Sequence, residues 1–267
     1  MSSPDGAERA QKLHYQKIGA AYRQHYFDAW SWRYRREFIH ADLLAGEDWR
    51  GKKVLEAMCG TGSVAGDLQA LGAEVYGLDL SLSAIAAYRE EWRRPALVAS
   101  LLQPGLKAGT FDAIIIVGGL HHLHPHLSAG LDALAALLKD EGSLRFFEPH
   151  ATAWPDKLRG WWYRHDPLFG SGEASIHPRR LLKEHGRDYE EIASTFGGGP
   201  AYLFVFNSLI WRLPIRLKSR LAPGLFWLEK ILSPLQSERF SFFVIGRWRK
   251  RPRLHGRAND PTKTSRP

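Results

Sequence analysis

The segment over 52–81 constrains the fold of this chain more than any other part of its sequence. A short apolar run ends at Glu56, a glycine turn follows over 59–62, and residues 63–71 carry apolar side chains at helical spacing. A second apolar run over 75–80 predicts another strand. Two parallel strands joined by a helix form a right-handed unit, and its ligand crevice lies beyond the carboxyl ends of the strands. The sequence therefore predicts a ligand site at the turn.

The residues around this turn indicate a nucleoside as the ligand. Gly60 and Gly62 let the backbone come close to a ligand, because glycine adopts the dihedral angles of such turns without steric cost. Asp79 follows Gly62 by about 17 residues, near the spacing at which a carboxylate binds ribose hydroxyls. Gly60, Gly62 and Ala65 also fit the dinucleotide fingerprint, so an NAD-dependent oxidoreductase is one alternative. Against it, Glu56 would repel a pyrophosphate but suits a cationic ligand.

The same segment resembles a known family. The run EAMCGTG over 56–62, followed by Asp79, is similar to motifs I and II of the class I S-adenosylmethionine-dependent methyltransferases. This resemblance implies S-adenosylmethionine as cofactor, with its methionine end near Glu56 and Gly60 and its ribose held by Asp79. The cofactor-binding residues that the resemblance implies are Glu56, Ala57, Gly60, Thr61, Gly62, Asp79, Leu80, Ser100, Leu101, Val117 and Gly118.

The resemblance also implies the architecture of the chain. We expect an α/β, Rossmann-like three-layer sandwich with a mostly parallel seven-stranded sheet, an antiparallel last strand and helical lid insertions. The expected boundaries are a helical cap over 1–45, a cofactor-binding core over 46–150, a completing segment over 151–248 with lids at about 150–188 and 201–236, and a disordered basic tail over 249–267.

The segment FDAIIIVGGLHHL over 111–123 is similar to the fourth strand of the family and the loop after it. The resemblance implies that the backbone near Val117 and Gly118 faces the methionine part of the cofactor. His121 and His122 come next, and an imidazole is a suitable general base for a hydroxyl or amine that is being methylated. A metal site is not favoured, because adjacent side chains on an extended segment point apart.

Two further sets of candidate residues follow the third and fifth predicted strands. Glu148 ends the fifth strand, which is predicted to begin at Ser143, and it is a second candidate for substrate chemistry. The alternative is that this carboxylate caps backbone amides before Pro149. Ser100 takes the place at which the family often has an acidic residue near the adenine amino group, and its hydroxyl can still accept a hydrogen bond. Leu101 can contact the ring.

Aromatic side chains are concentrated outside the predicted core. Tyr22 and Tyr26 lie in the N-terminal helical segment, and Trp161 and Trp162 lie among cations after the fifth strand. These four rings are the predicted substrate-binding residues. Packing of helices on the sheet is the alternative for each of them.

The segment over 201–236 is longer than the family core needs. We predict two short amphipathic helices, broken at Pro214 and Pro223, with aromatic faces flanked by cations. Such helices suit either a lid over the substrate site or a peripheral contact with a membrane surface.

Charge and composition narrow the classes of function. The chain has 267 residues, a formal net charge of +9 and one cysteine, Cys59, which fits a reducing cytoplasm. No apolar run approaches the roughly 20 residues that span a bilayer, and the first residues lack the apolar core of a secretory signal. We therefore expect a cytoplasmic protein, peripheral at most to the inner face of the membrane. The positive charge also raises RNA methylation, but no RNA-binding module is recognised, so nucleic acid is not favoured as a partner.

Together these observations predict a methyltransferase that uses S-adenosylmethionine to modify an oxygen, nitrogen or carbon atom of a small or lipid-linked metabolite. The alternatives are a tRNA or rRNA methyltransferase, an NAD-dependent oxidoreductase, and a non-catalytic partner that binds S-adenosylmethionine.

Overall fold

A mixed β-sheet forms the centre of the protein. The computed structural model describes residues 25–151 and 175–252. The strands within them are β1 (Lys53–Ala57), β2 (Glu74–Asp79), β3 (Ala96–Val98), β4 (Phe111–Val117), β5 (Leu138–Pro149), β6 (Tyr189–Gly197) and β7 (Phe243–Lys250). Their order in the sheet is β3-β2-β1-β4-β5-β7-β6. Strands β1 to β5 are parallel, and β7 is antiparallel to β5 and β6, so the predicted architecture is confirmed.

Helices connect the strands. The α-helices are α1 (Ala29–Tyr34), α2 (Ala41–Leu43), α3 (Ala65–Ala70), α4 (Leu82–Trp92), α5 (Leu127–Leu137), α6 (Pro178–Glu184) and α7 (Ile215–Leu232). Wider π-helical turns occupy Arg35–His40 and Tyr202–Phe206, and short 3₁₀ turns occupy Leu120–Leu123 and Ser233–Leu235. Among these helices of the described residues, none has the length and apolar content that crossing a bilayer requires.

Side chains of the central strands alternate between two apolar cores, one on each face of the sheet. In β1, Val54 belongs to one core and Leu55 to the other. In β4, Ile115 packs into the first core and Ile114 into the second. Helices α1, α3, α4 and α7 close the first core, and α5 and α6 close the second. Because both faces are covered, these strands are apolar at nearly every position.

Strand β5 begins at Leu138 rather than at the predicted Ser143. Leu138 pairs with Phe111, and the register then shifts so that Ser143 pairs with Ala113. The residues between them form a bulge, in which Glu141 has a left-handed φ of 63°. The hydrophobic pattern of the sequence did not reveal that β5 begins at Leu138, because the residues of the bulge are polar.

Helix α7 is one continuous helix of 18 residues, so the predicted break at Pro223 is wrong. Pro214 does precede the helix, as its N-cap residue. Pro223 has no backbone N–H, so the carbonyl one turn earlier in the helix lacks its usual donor. Because this side of the helix is exposed at Pro223, that carbonyl can bind water instead. Ala222 and Phe226 are buried in the first core. Packing of this apolar face outweighs the local cost of the proline.

A buried lysine fastens the segment before the sheet to α7. Lys218 is fully buried, and its Nζ donates to Asp28 Oδ2 at 2.5 Å, to Ser31 Oγ at 2.7 Å and to the His25 carbonyl at 2.8 Å. Burial lowers the pKa of Lys218, and the carboxylate of Asp28 opposes that effect. Three acceptors around one cation compensate for much of its desolvation, so this contact defines how α1 lies on α7.

Candidate active site

The glycine turn after β1 is held from two sides by the carboxylates of Glu56 and Asp79. Glu56 Oε1 accepts hydrogen bonds from the amides of Ser63 at 2.6 Å and Val64 at 3.0 Å. Asp79 Oδ2 accepts one from the amide of Gly60 at 2.8 Å. The ends of β1 and β2 and the turn therefore form one unit, and both acidic side chains contact the same loop.

Glu56 combines deep burial with an unsatisfied oxygen. Burial raises the pKa of Glu56 to about 7, against the opposing effect of the amides of Val64 and Ser63. Its side chain is 1% exposed, and its second oxygen, Oε2, makes no hydrogen bond of normal geometry within the described residues; the hydroxyl of the buried Tyr88 lies near Glu56 and lowers its pKa, but that hydroxyl is also without a well-formed hydrogen bond. An unpaired buried carboxylate oxygen is costly, so this atom suits a ligand that brings a cationic donor.

Asp79 links the end of β2 to the turn and remains partly accessible. Its Oδ1 accepts a hydrogen bond from the amide of Ser81 at 2.8 Å. Burial raises the pKa of Asp79, and backbone amides together with the nearby His122 oppose that effect. Each carboxylate oxygen has two acceptor positions, so Asp79 retains capacity for the hydroxyl groups of a ligand.

Two glycines at the ends of β1 and β4 leave open space beside the backbone. Gly60 has a φ of 54° and Gly118 a φ of 67°, a region that glycine adopts without strain. A Cβ atom at either position would meet no atom within 4 Å. Because β1 and β4 are parallel neighbours, both gaps lie at the carboxyl edge of the sheet. A ligand can approach the backbone there, next to Val117, which is half-buried at the end of β4.

The other side of the turn is closed by a tryptophan that the sequence did not single out. A Cβ atom on Gly62, whose φ is 95°, would lie 2.0 Å from Trp92 Nε1. The same ring closes over Gly66, and Nε1 donates to the Thr61 carbonyl at 2.9 Å. The turn is thus packed against α4 at Gly62 and open at Gly60.

Met58 adopts an unusual backbone conformation inside the turn. Its φ is 53°, in the left-handed region that non-glycine residues rarely occupy. Its Cβ and Sδ lie 3.1 Å from the position that a Cβ on Gly119 would occupy, so the side chain spans from the end of β1 to the loop after β4. Backbone strain of this kind is frequent at functional sites, and no sequence signal pointed to Met58.

The remaining predicted cofactor residues surround the same edge of the sheet. Ala57 is fully buried and pairs with Leu78, and Leu80 is half-buried directly after β2. Ser100 lies beyond the end of β3, and its Oγ accepts a hydrogen bond from the amide of Leu102 at 3.1 Å. Leu101 is 3% exposed and packs in the second core.

Glu148 organises the loop after β4. It is fully buried, and its Oε1 accepts hydrogen bonds from the amides of Gly119 at 2.8 Å and Leu120 at 2.6 Å. Its Oε2 lies 2.7 Å from Nδ1 of His121. A carboxylate only accepts hydrogen bonds, so Nδ1 of His121 carries a proton, and in the neutral ring Nε2 is the acceptor. Glu148 therefore acts on the site through the orientation of His121.

The two histidines after β4 do not lie on an extended segment, and this part of the sequence prediction is wrong. They belong to the 3₁₀ turn Leu120–Leu123, and the rings of His121 and His122 lie 3.9 Å apart between centroids. The turn forms because Glu148 satisfies its first backbone amides. His121 is nearly buried and His122 is half-buried, so the two rings differ in accessibility.

Tyr26 belongs to a group of packed rings that we call the aromatic wall. Its hydroxyl donates to Asn207 Oδ1 at 3.1 Å, and its ring centroid lies 5.5 Å from that of Phe206. Phe206 also contacts Phe147 at the end of β5, with centroids 6.1 Å apart. Sequence reasoning missed the part that 202–206 plays in this wall. The aromatic wall consists of Tyr26, Phe147, Tyr202, Phe206 and Phe243.

A buried carboxylate fixes the turn that carries two of these rings. Glu229 of α7 accepts hydrogen bonds from the amide of Gly199 at 2.8 Å, the amide of Ala201 at 2.8 Å and the hydroxyl of Tyr34 at 3.0 Å. Burial raises the pKa of Glu229, and these donors oppose that effect. The π-helical turn, α1 and α7 are therefore connected through one residue.

Three of the four predicted substrate residues, Tyr22, Trp161 and Trp162, lie outside the described residues. The disordered tail was predicted to begin at residue 249, but Arg249 and Lys250 belong to β7, so that boundary is wrong. The tail lies outside the described residues from residue 253 onward.

Comparison with known proteins decides the family. A family model described as a methyltransferase domain matches residues 24–188, more than half of the chain. The chain belongs to this methyltransferase family. Its sheet order and its acidic–glycine turn make it a class I S-adenosylmethionine-dependent methyltransferase. The NAD-dependent oxidoreductase and the non-catalytic partner are thereby set aside.

Individual relatives of this methyltransferase are distant. The ubiquinone biosynthesis O-methyltransferase of Nitrosococcus oceani is 32% identical over 120 residues, which cover 42% of this chain and 48% of that relative. The match thus spans about half the length of that relative.

Solved structures of other proteins share the fold. One is the magnesium protoporphyrin IX methyltransferase of Synechocystis PCC 6803 with bound SAH, with 17% identity, a TM-score of 0.59, and coverage of 92% of this chain and 100% of that one. Another is the 1,6-didemethyltoxoflavin-N1-methyltransferase of Burkholderia thailandensis, with 16% identity, a TM-score of 0.58, and coverage of 94% and 92%. At such identities the likeness shows the fold alone.

Proposed function

We propose that this methyltransferase transfers a methyl group from S-adenosylmethionine to an oxygen, nitrogen or carbon atom of a small or lipid-linked acceptor. The observation that carries the proposal is that Glu56 and Asp79 hold one glycine turn, with open space beside Gly60. The cofactor supplies a methyl group on a positively charged sulfur. The protein has to align that group with the acceptor and remove a proton where the acceptor carries one.

The residues of the turn fit this cofactor. The unpaired Oε2 of Glu56 suits the ammonium group of the methionine part, and Asp79 has acceptor capacity for the two ribose hydroxyls. The remaining assignments are proposals of the same kind. Ala57, Thr61 and Gly62 complete the turn, Leu80, Ser100 and Leu101 would border the adenosine part, and Val117 and Gly118 would border the methionine part.

His121 is the proposed general base. Its Nδ1 is engaged by Glu148 at 2.7 Å, which leaves Nε2 free to accept a proton from an acceptor hydroxyl or amine. Glu148 is a positioning residue, because it holds the ring of His121 and stabilises the positive charge that the ring gains. His122 is the alternative base, since its ring lies against that of His121.

The aromatic wall supports a flat or apolar acceptor. Tyr26 is the half-buried ring of the wall, with its hydroxyl held by Asn207, and Tyr22, Trp161 and Trp162 are proposed to contribute as well. The similarity to a ubiquinone biosynthesis O-methyltransferase favours oxygen as the acceptor atom and a lipid-linked molecule as the acceptor. An enzyme with such an acceptor would work in the cytoplasm, peripheral to the inner face of the membrane.

Transfer of radiolabelled methyl groups tests this proposal. The purified chain is incubated with labelled S-adenosylmethionine and one acceptor at a time: a soluble catechol, a short-chain isoprenoid quinol, a primary amine and bulk tRNA. We expect label on the quinol, and also on the catechol if the acceptor head group alone is recognised. Label on tRNA alone would replace the proposal with RNA methylation.

Substitutions at the histidine pair test the assignment of the base. We expect His121→Asn to lower kcat by about 100-fold or more, and the matched control His122→Asn to lower it far less. Glu148→Gln should lower kcat less than His121→Asn does, because the amide oxygen can still hold Nδ1 of His121. An equal loss in both histidine variants would contradict the assignment.

A further inference from the structure

Exposed apolar side chains of the described residues are concentrated on and around α7. Of the twelve large apolar side chains that are exposed there, seven lie between residues 211 and 240. A surface on which such side chains cluster marks an interaction site, whereas scattered ones need no explanation. The seven are Trp211, Leu217, Leu221, Trp227, Ile231, Leu235 and Phe240.

Four of these side chains form one stripe, which we call the outer face of α7. Leu217 and Leu221 are one turn apart, as are Trp227 and Ile231, and helical geometry puts both pairs on the same side. Leu221 is 44% exposed and Trp227 is 66% exposed. The opposite side is buried and consists of Lys218, Ala222, Phe226 and Glu229. The helix therefore has one buried side and one exposed apolar side, which the described residues leave uncovered.

The exposed charged side chains of α7 itself all have one sign. The exposed ionisable residues of α7 are Arg216, Arg220 and Lys230. Lys230 also contacts Glu37 at 2.8 Å, whereas the only acid of the helix, Glu229, is 1% exposed and engaged by backbone amides. An apolar stripe bordered by cations is complementary to an anionic lipid surface, where the rings enter the interface and the cations meet the head groups.

The buried side of α7 borders the proposed acceptor site. Phe226 contacts Tyr34 with centroids 5.9 Å apart, and Tyr34 contacts Phe206 of the aromatic wall at 5.5 Å. The helix, about 10 Å thick, and the ring of Tyr34 therefore lie between the outer face and the wall. A membrane bound at the outer face would bring lipid-linked molecules close to the wall.

We propose that the outer face of α7 docks on the surface of an anionic bilayer, with Trp227, Leu221, Leu217 and Ile231 in the interface and Arg216 and Arg220 at the head groups. This inference deepens the proposed function, and it rests on that function only for the idea that the acceptor is lipid-linked. Docking presents the enzyme to its acceptor without insertion of a helix across the bilayer.

Co-sedimentation with vesicles tests the inference. The full chain is spun with vesicles of phosphatidylcholine alone and with vesicles that contain about a third phosphatidylglycerol. We expect binding to the anionic vesicles, reduced by salt because the contact is partly electrostatic. The double variant L221S/W227S should partition about tenfold more weakly. The variant R216Q/R220Q should lose the preference for phosphatidylglycerol.

A matched pair of residues provides the control. Leu71 and Leu82 are 45% and 65% exposed, close to the values of Leu221 and Trp227, but they lie at α3 and α4. The variant L71S/L82S should bind vesicles as well as the natural chain does. All of these variants retain the basic tail, so a loss in L221S/W227S that L71S/L82S does not show assigns binding to the outer face of α7.

Three outcomes would overturn the inference. The natural chain sediments with neither vesicle, or L221S/W227S sediments as well as the natural chain does. In the third, the natural chain is a dimer, L221S/W227S is a monomer, and neither of them binds lipid. Calorimetry with S-adenosylmethionine on the same proteins separates this inference from the proposed function. Intact cofactor binding without vesicle binding refutes only the membrane contact, and absent cofactor binding in the natural chain refutes only the proposed function.

Discussion

The buried carboxyl of Glu56 makes a specific prediction about stability and pH. Glu56→Gln keeps the shape of the side chain and can still accept the amides of Ser63 and Val64, but it removes the charge from a position without solvent. In the unfolded chain this carboxyl titrates near its ordinary value, whereas burial raises its pKa to about 7 in the folded protein. The folded state therefore holds a proton that the unfolded state has already released.

The sign and size of the effect follow from this difference. Between the ordinary value and about pH 7 the unfolded state binds fewer protons, so the contribution of Glu56 to the free energy of unfolding falls as pH rises and is constant above pH 7. The difference of about 2.5 between the folded and the ordinary pKa corresponds to at most about 3.4 kcal/mol. By the same linkage, the free energy of unfolding of Glu56→Gln minus that of the natural chain should be about 2 kcal/mol larger near pH 8.5 than near pH 5.5.

Urea unfolding at the two pH values measures this difference. The stability of the natural chain is subtracted from that of Glu56→Gln at each pH, which removes the titration of all other groups. The control is Glu90→Gln, which makes the same replacement at an exposed position of α4. The same Glu56→Gln substitution should weaken binding of S-adenosylmethionine, because the ammonium group loses its counter-charge.

One result would refute the reasoning. If the difference between Glu56→Gln and the natural chain is the same at both pH values, Glu56 does not hold an extra proton in the folded state. The account of a buried carboxyl at the turn whose desolvation is not compensated within the protein would then fail.

Two further substitutions test residues that hold the site in place. Gly62→Ala should lower the free energy of unfolding in urea by about 2–4 kcal/mol, because its Cβ atom would lie 2.0 Å from Trp92 Nε1. The control Gly109→Ala, at a left-handed glycine in open space, should lower it by about 1–2 kcal/mol, and equal losses would contradict this explanation. Lys218→Met should lower the free energy of unfolding by about 3 kcal/mol, because the carboxylate of Asp28 loses its cationic partner. Proteolysis should then cut the segment before α1 faster. An unchanged digestion pattern would contradict the role of Lys218 in holding that segment on α7.

The part of the fold that sequence reasoning predicted is the part that local patterns specify. The apolar run of β4 and the alternation in β1 follow from burial on both faces, and the glycine turn with Asp79 follows from the connection between two strands. The continuous α7 could not be predicted in the same way. Its tolerance of Pro223 depends on packing against the core, which the local sequence does not contain.

Contacts between distant residues decided the details of the site that the sequence left open. Trp92 closes the glycine turn from 31 residues away, and no motif marks it. The sequence allowed Glu148 to be either a substrate residue or a cap for backbone amides. In the fold it accepts amides from the loop after β4 and holds His121, so its surroundings, rather than its own neighbours in the chain, define what it can do.

Calorimetry with S-adenosylmethionine tests the central claim most directly, namely that the turn between Glu56 and Asp79 holds the cofactor. The proteins compared are the natural chain, Asp79→Ala and the control Asp48→Ala, in which an exposed carboxylate paired with Arg50 is removed instead. We predict that the natural chain and Asp48→Ala bind alike, and that Asp79→Ala, with circular dichroism showing it folded, binds at least about tenfold more weakly. Equal affinity in all three proteins, or no binding by the natural chain, would contradict the account.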